Sequence, residues 1–319
     1  MDMIREYKLR IKNVDKSIES LVILTLESSE GGKLPPFEPG AHLEIELISS
    51  WRGHYSLCSY PTDPSTYRIA ILRERYGRGG SKFLYRHCEV GKSLTVRGPF
   101  NNFKLDPNQR GYLFIAGGIG ITPLLPMIQD AQNRGKPWRL VYGGRSLQSM
   151  AFLDELTSIG DQIDLWPQDQ RGVIDIDKAV LPLIEQGYAG VYCCGPDGML
   201  TAVQKRVSER FPSCKVNFEL FKARKQQFRE NQEFKVRLAR SGNEVIVHKN
   251  ETIAEALGKA GISTLLSCKE GVCGTCLTTV ISGTPEHRDS YLNPDDQAAG
   301  EKIMICCSRS LDSNLELDL

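Results

Sequence analysis

Cys268-Lys269-Glu270-Gly271-Val272-Cys273-Gly274-Thr275-Cys276 spaces three cysteines as C-x4-C-x2-C, and a fourth, Cys306, follows after 29 intervening residues. Four thiolates in this arrangement suit two irons bridged by two sulfides. The loop must wrap a small anionic group and turn backbone N–H groups toward its sulfurs. Gly271 and Gly274 serve that need, because a residue without Cβ tolerates positive φ and close approach. Ser267 and Thr275 can add hydroxyl donors. Zinc sites usually pair their cysteines in two short knuckles, which the solitary fourth cysteine does not match. Cys306 and Cys307 are adjacent; on a strand they would face opposite sides, so only one would ligate.

The 319 residues suffice for two or three domains of roughly 100–150 each. Composition is ordinary for a water-soluble chain, 40% hydrophobic and 25% charged. A net charge of +1 points to neither nucleic acid nor an anionic membrane as partner. Residues 234–319 hold nine Lys/Arg against twelve Asp/Glu, a mildly acidic segment. Residues 1–16 are charged and lack an apolar core, so no secretory leader is expected. The ten cysteines are then expected as reduced thiols in the cytoplasm rather than as disulfides. The most apolar stretch, Tyr112 to Ile128, is short for a membrane span and carries three glycines and two prolines.

Three patterns divide the chain. Up to residue 106 apolar runs (Leu21–Leu26, His42–Leu47, Tyr67–Leu72, Ser93–Val96) alternate with turn residues, which predicts an antiparallel β-barrel. Over 107–221 apolar strands (Tyr112–Ala116, Arg139–Tyr142, Gln162–Leu165, Gly190–Cys194) alternate with helical patterns (Pro123–Asn133, Phe152–Ser158, Ile176–Gln186, Asp197–Arg210), which predicts an α/β domain on a parallel sheet. Residues 222–233 are polar and read as an exposed tether. Residues 234–319 begin with a hairpin, Phe234–Leu238 and Glu244–Val247, then a helix over Thr252–Ala260, then the cysteine loop.

Two strand-to-helix turns in the middle domain invite a dinucleotide. Ala116-Gly117-Gly118-Ile119-Gly120-Ile121-Thr122-Pro123 can present N–H groups to a pyrophosphate at a helix N-terminus, and Pro123 suits a first helical turn. Cys193-Cys194-Gly195-Pro196-Asp197 ends another strand at the same sheet edge. Arg145, after Val141-Tyr142-Gly143-Gly144, is placed to meet a phosphate or ribose. In the barrel, Gly77-Arg78-Gly79-Gly80-Ser81 before the helical pattern Lys82–His87 suits a terminal phosphate.

Taken together, PPFEPGAHL at 35–43, YSLCS at 55–59, GRGGS at 77–81, AGGIGITP at 116–123, CCGP at 193–196, NFELF at 217–221, CKEGVCGTC at 268–276, EHRD at 286–289 and CCSR at 306–309 resemble the ferredoxin–NADP reductase superfamily fused to a C-terminal plant-type ferredoxin. The module order resembles the phthalate dioxygenase reductase family, which includes vanillate demethylase reductases. That resemblance implies a multidomain protein: flavin barrel, nicotinamide domain and a β-grasp ferredoxin. It implies FMN, NADH and a 2Fe–2S cluster as cofactors, with hydride passing from NADH to FMN and single electrons to the cluster. The acceptor it implies is a Rieske-type terminal oxygenase or demethylase, served by a monomeric donor.

The same resemblance assigns residues. Tyr55 and Ser56 would lie along the flavin ring, with Leu72 and Arg73 touching it from the next strand. Gly79, Gly80 and Ser81 would hold the FMN phosphate, and Phe221 would cover the flavin face. Thr122 would sit where nicotinamide meets flavin. Gly117, Gly118, Gly120, Arg145, Cys194, Gly195 and Pro196 map onto the pyridine-nucleotide site. Cys268, Cys273, Cys276 and Cys306 would be the iron ligands, because the family places the ligand first in its C-x-S/A segment. One departure is plain: the family's R-x-Y-S would put arginine at 53, where this chain has Gly53. Arg52 and His54 are the flanking candidates for that role. FMN is preferred to FAD because Phe83 and Tyr85 read as core residues of a helix face. NADH is preferred to NADPH because no basic cluster follows Arg145.

Overall fold

A computed structural model describes residues 6–47, 52–60, 63–74, 79–223 and 228–319. Two compact units emerge, residues 1–219 and 220–319. Gly77 and Arg78 of the expected phosphate turn, and residues 224–227 of the expected tether, lie outside the described residues.

The first unit opens with an antiparallel sheet. Its strands are β1 (Glu6–Asp15), β2 (Leu21–Ser28), β3 (His42–Glu46), β4 (Arg52–Ser56), β5 (Thr66–Leu72) and β6 (Ser93–Phe100), in spatial order β4-β3-β6-β1-β2-β5. A bridge between Leu57 and Ile69, with Cys58 N–H donating to the Arg68 carbonyl at 2.8 Å, joins the two edges and closes the barrel. Alternation along β1 and β2 sends Leu9, Ile11, Val22, Leu24 and Leu26 into its core. Helix α1 (Gly80–His87) lies between β5 and β6.

The link to the next layer is fixed rather than loose. Asp106 N–H donates to the hydroxyl of Tyr192 at 2.7 Å, and the Tyr112 hydroxyl donates to the Asp106 carbonyl at 2.8 Å. Both rings are fully buried. Beyond it come β7 (Tyr112–Gly117), α2 (Ile121–Asn133), β8 (Trp138–Gly144), α3 (Leu153–Thr157), β9 (Ile163–Pro167), α4 (Gln168–Arg171), α5 (Ile176–Ala179), α6 (Leu181–Glu185), β10 (Gly190–Cys194), α7 (Asp197–Arg210) and β11 (Val216–Glu219). The strands form one parallel sheet, β11-β10-β7-β8-β9. β7 and β10 are buried along their whole length, as central parallel strands flanked by helices should be. The single helix expected over Ile176–Gln186 is two, parted at Val180, because Pro182 has no N–H to continue the ladder.

The second unit carries β12 (Phe234–Leu238), β13 (Glu244–Val247), α8 (Ile253–Lys259), β14 (Leu277–Ser282), β15 (Pro285–Glu286), α9 (Pro294–Ala299), β16 (Lys302–Met304), β17 (Arg309–Ser310) and β18 (Asn314–Leu317). Its mixed sheet runs β13-β12-β18-β14-β16, with the C-terminal β18 parallel to β12. A reciprocal capping box between Thr252 and Glu255 starts α8, whose Ile253, Ala254, Ala256 and Leu257 face the sheet core. Residues 228–233 are exposed apart from half-buried Asn231, and they are pinned to this unit. Arg229 reaches Glu286 at 3.3 Å, Arg288 reaches Asn231 at 2.7 Å, and Arg309 donates to the Gln232 carbonyl at 2.8 Å.

Candidate functional site

In the first unit the nucleotide edge is built from two interlocked turns. A Cβ on Gly120 would lie 2.1 Å from the Cys194 carbonyl oxygen, and one on Gly195 would lie 2.9 Å from Gly117 Cα. A Cβ on Gly117 would meet Pro196 at 2.6 Å. These glycines therefore let the β7 and β10 turns nest backbone to backbone. Gly118 differs: it has φ +53, and a Cβ built on it would meet nothing within 4 Å. Thr122 is buried at the start of α2 and its hydroxyl donates to the Ile119 carbonyl at 2.9 Å. Arg145 is exposed just beyond β8, and its carbonyl accepts the Asp169 N–H at 3.0 Å.

Ser56, at the end of β4, is buried and lies 3.5 Å from the Glu219 carboxylate at the end of β11. Glu219 pairs in register with Cys194 on β10. Burial pushes the Glu219 carboxyl up to about 8, against the lowering effect of Ser56. Burial, and then the neighbouring Glu219, hold the Cys194 thiol well above its usual range. The edge thus presents a hydroxyl, a thiol and a protonated acid near neutral pH, with little ionised charge. Sequence reasoning passed over Glu219; its one signal was an acid closing the NFELF segment at the same sheet edge as CCGP.

Tyr55 is half-buried, and burial raises its phenol above the ordinary value. Its ring fills the space a side chain at 53 would need, since a Cβ on Gly53 would sit 2.8 Å from it. Arg52 lies on the opposite face of β4 and pairs with Glu6 at 3.5 Å. His54 shares that face and packs against His42, ring centroids 5.1 Å apart. Burial, then the nearby His54, lower His42 to about 3, so His42 is neutral. Arg52 and His54 are thus already engaged away from the Tyr55 face. Arg73 is exposed, stacks 4.8 Å from the Tyr85 ring and donates to Ser20 Oγ at 3.2 Å; Leu72 before it is exposed too. Gly79, at φ 104, opens α1, and Ser81 Oγ accepts the Glu74 N–H at 3.2 Å. The core residue of that helix is Leu84, whereas Phe83 stacks on His87. Phe221 falls in the second unit and is 41% exposed.

In the second unit Cys268, Cys273, Cys276 and Cys306 are all buried. The Glu270 N–H donates to the Cys268 sulfur at 3.3 Å, and the Cys273 thiol donates to the Thr275 hydroxyl at 3.2 Å. Gly271 and Gly274 have φ of 69° and 75°. A Cβ on Gly274 would lie 2.5 Å from the Tyr291 ring, so the loop is drawn in more tightly than any other residue would permit. Among the described residues no three His, Cys, Asp or Glu side chains gather as a single-ion site. Buried thiols on a glycine cradle with an inward N–H fit a cluster whose ligands divide between two irons. Cys306 and Cys307 lie in a turn, not on a strand as expected, because Cys307 and Ser308 N–H both donate to the Met304 carbonyl. Of the two, Cys306 is buried with the other three candidate ligands and Cys307 is half-buried.

Comparison with known proteins bears on both units. An oxidoreductase NAD-binding domain matches residues 114–205, and a 2Fe-2S iron-sulfur cluster binding domain matches residues 236–311. Phenoxybenzoate dioxygenase subunit beta of Ectopseudomonas oleovorans is 39% identical, over 98% of this chain and 97% of its own. Phthalate dioxygenase reductase of Burkholderia cepacia is 36% identical over 98% and 97%. The chain belongs to the phthalate dioxygenase reductase family. A solved phthalate dioxygenase reductase, described as a modular structure for electron transfer from pyridine nucleotides to [2Fe-2S], aligns at TM-score 0.70 with 35% identity over 98% of both chains. An intact type IV self-sufficient cytochrome P450 monooxygenase aligns at TM-score 0.86 with 34% identity, but this chain spans only 41% of it. Members of this family are electron-transfer oxidoreductases, and the fold here, barrel, α/β sheet and iron–sulfur domain, is theirs. Among the described residues no helix is long and apolar enough to cross a membrane.

Proposed function

We propose that the protein is the reductase component of a two-component oxygenase or demethylase whose terminal component is of the Rieske type. The cofactors supply the redox chemistry when bound: FMN accepts hydride from NADH, and the 2Fe–2S cluster carries single electrons outward. The chain supplies binding and orientation. The Gly118 turn and Arg145 receive the dinucleotide, and Gly79, Gly80 and Ser81 receive the FMN phosphate. Tyr55 supports the flavin ring, with Arg73 rather than Arg52 as the nearby cation. Ser56 and Cys194 line the meeting point of nicotinamide and flavin, and the Glu219 carboxyl holds a proton there at neutral pH. Cys268, Cys273, Cys276 and Cys306 bind the irons, and Tyr291 shields the Gly274 side of their loop from water.

The observation that carries this reading is the 3.5 Å approach of Ser56 and Glu219, which brings the barrel strand to the nucleotide edge of the parallel sheet. We take the compartment to be the cytoplasm, where thiols stay reduced, and the donor to be a monomer. A haem acceptor is the second reading, favoured by the cytochrome P450 in which the matching region forms part of the chain. Acid-extracted flavin should chromatograph as FMN, and NADH should drive steady cytochrome c reduction. Rapid mixing of the reduced protein with a Rieske oxygenase and with a ferric P450 separates the acceptors; faster oxidation by the P450 would reject the first reading.

A further inference from the structure

The loop that carries Glu286, His287, Arg288 and Asp289 bridges the two ligand-bearing segments of the second unit. Asp289 is 1% exposed. Its Oδ2 accepts N–H groups from Leu292 at 2.8 Å and Tyr291 at 3.2 Å, and its Oδ1 accepts the Ser308 hydroxyl at 3.2 Å. Ser308 is itself fully buried, two residues beyond Cys306. On the other side, the Ser290 N–H donates to the Gly271 carbonyl at 3.0 Å, between Cys268 and Cys273. A Cβ on Gly271 would lie 2.9 Å from Asp289 Cα and Cβ and 2.5 Å from Cys307 Sγ. Asp289 therefore touches the cysteine loop midway between two ligands while holding the segment that bears the fourth.

Its direct donors are neutral groups. The Arg288 guanidinium is committed to Glu286 at 2.6 Å and Asn231 at 2.7 Å, and lies over the Phe228 ring. His287 Nδ1 is 3.6 Å from Oδ1, beyond hydrogen-bond range, and neither of its ring nitrogens has a hydrogen-bond partner. Among the described residues no lysine or arginine nitrogen comes within ion-pairing distance of Asp289. Burial opposes its ionisation, but the His287 ring and the Leu292 N–H outweigh it and keep the carboxyl below its ordinary range.

A buried charge without a lysine or arginine partner is costly unless hydrogen bonds hold it, and this fold supplies three, with the His287 ring 3.6 Å away. We propose that Asp289 is a positioning residue that sets the charge beside the iron–sulfur site, its fixed carboxylate keeping the cluster's reduction potential lower than the cysteine loop alone would. Reduction adds a negative charge to the cluster, and a like charge a few ångströms from its loop disfavours that step. The reduced cluster is thereby a stronger donor to its acceptor. This rests on the reading of Cys268, Cys273, Cys276 and Cys306 as ligands.

The test is a potentiometric titration of the full-length holoprotein, followed by the EPR signal of the reduced cluster at one fixed alkaline pH, with iron and sulfide assayed in parallel. Asp289→Asn keeps the shape and removes the charge; its amide oxygen can still accept the Leu292 and Tyr291 N–H groups, while its NH2 would donate to the Ser308 hydroxyl instead of accepting from it. It should retain full iron and shift the cluster equilibrium toward reduction at least tenfold, about 59 mV for a one-electron couple, while the flavin couple stays in place. Ser308→Ala keeps the charge and should shift it far less. An unchanged midpoint in Asp289→Asn, an equal shift in Ser308→Ala, or loss of iron from Asp289→Asn would each overturn the proposal. Absence of iron from the wild type would instead reject the ligand reading.

Discussion

Replacing Glu219 with glutamine should abolish a loss of stability that the wild-type first unit suffers as pH rises. The carboxyl sits at about 8 in the folded protein, against 4.5 ordinarily, because burial penalises its charge. A raised acid means the native state holds a proton the unfolded chain has lost, so stability falls as pH climbs from 4.5 through 8. Of that 3.5-unit span, about 2 units are expressed between about pH 6 and pH 9.5, an upper bound of roughly 2.7 kcal/mol. Glu219 keeps part of its surface in solvent, so about half that, ~1.5 kcal/mol, is the expected effect. A side-chain amide cannot ionise, so Glu219→Gln should match the wild type only below about pH 4, already exceed it near about pH 6, and gain the further ~1.5 kcal/mol as pH rises to about 9.5. Tryptophan fluorescence in urea is a clean assay, because the three tryptophans, Trp51, Trp138 and Trp166, all lie in the first unit. Parallel pH profiles for the two proteins would refute the reasoning and make Glu219 an ordinary solvated acid.

Gly120→Ala must push the Cys194 backbone aside and should cost about 3 kcal/mol in the same assay. Gly118→Ala has room and bears only its left-handed φ, about 1 kcal/mol; equal losses would refute the nesting of the two turns. Cys306→Ser should strip iron and sulfide from the purified protein, whereas Cys307→Ser should retain both; the reverse pattern would reassign the fourth ligand. Asp169 is bonded through its N–H to the carbonyl of Arg145, the residue proposed to receive the dinucleotide. Asp169→Ser should raise kcat/KM for NADPH at least fivefold, about 1 kcal/mol, with NADH favoured less; unchanged preference would place the discrimination elsewhere.

Much of the architecture was legible because it depends on covalent spacing and on glycine. The cysteine run carried the iron–sulfur reading, and AGGIGITP and CCGP marked the two turns of one sheet edge. Even so, the reason for Gly117, Gly120 and Gly195 was hidden: they serve each other's backbones, a contact between segments some 75 residues apart. Glu219 was hidden because an acid closing a four-residue strand looks like any polar strand end, and only the closure of the barrel over it raises its carboxyl. The side-by-side cysteines misled because a strand was assumed where Met304 accepts two turn bonds. Arg52 was a natural substitute for a missing arginine at 53, but β4 alternation turns it toward Glu6. The pinning of residues 228–233 could not be read either, since polar residues on a polar stretch give no hint of which distant carbonyl or carboxylate will hold them.

That pinning decides where a scalpel should fall. Anyone excising the iron–sulfur part as a free-standing electron carrier would be tempted to start at Phe234, where the first strand begins. Doing so would discard the Gln232 carbonyl that Arg309, only 3% exposed, uses alongside those of His248 and Glu251, and would strip Arg288 of Asn231 and the Phe228 ring. A transplantable version begins no later than Phe228.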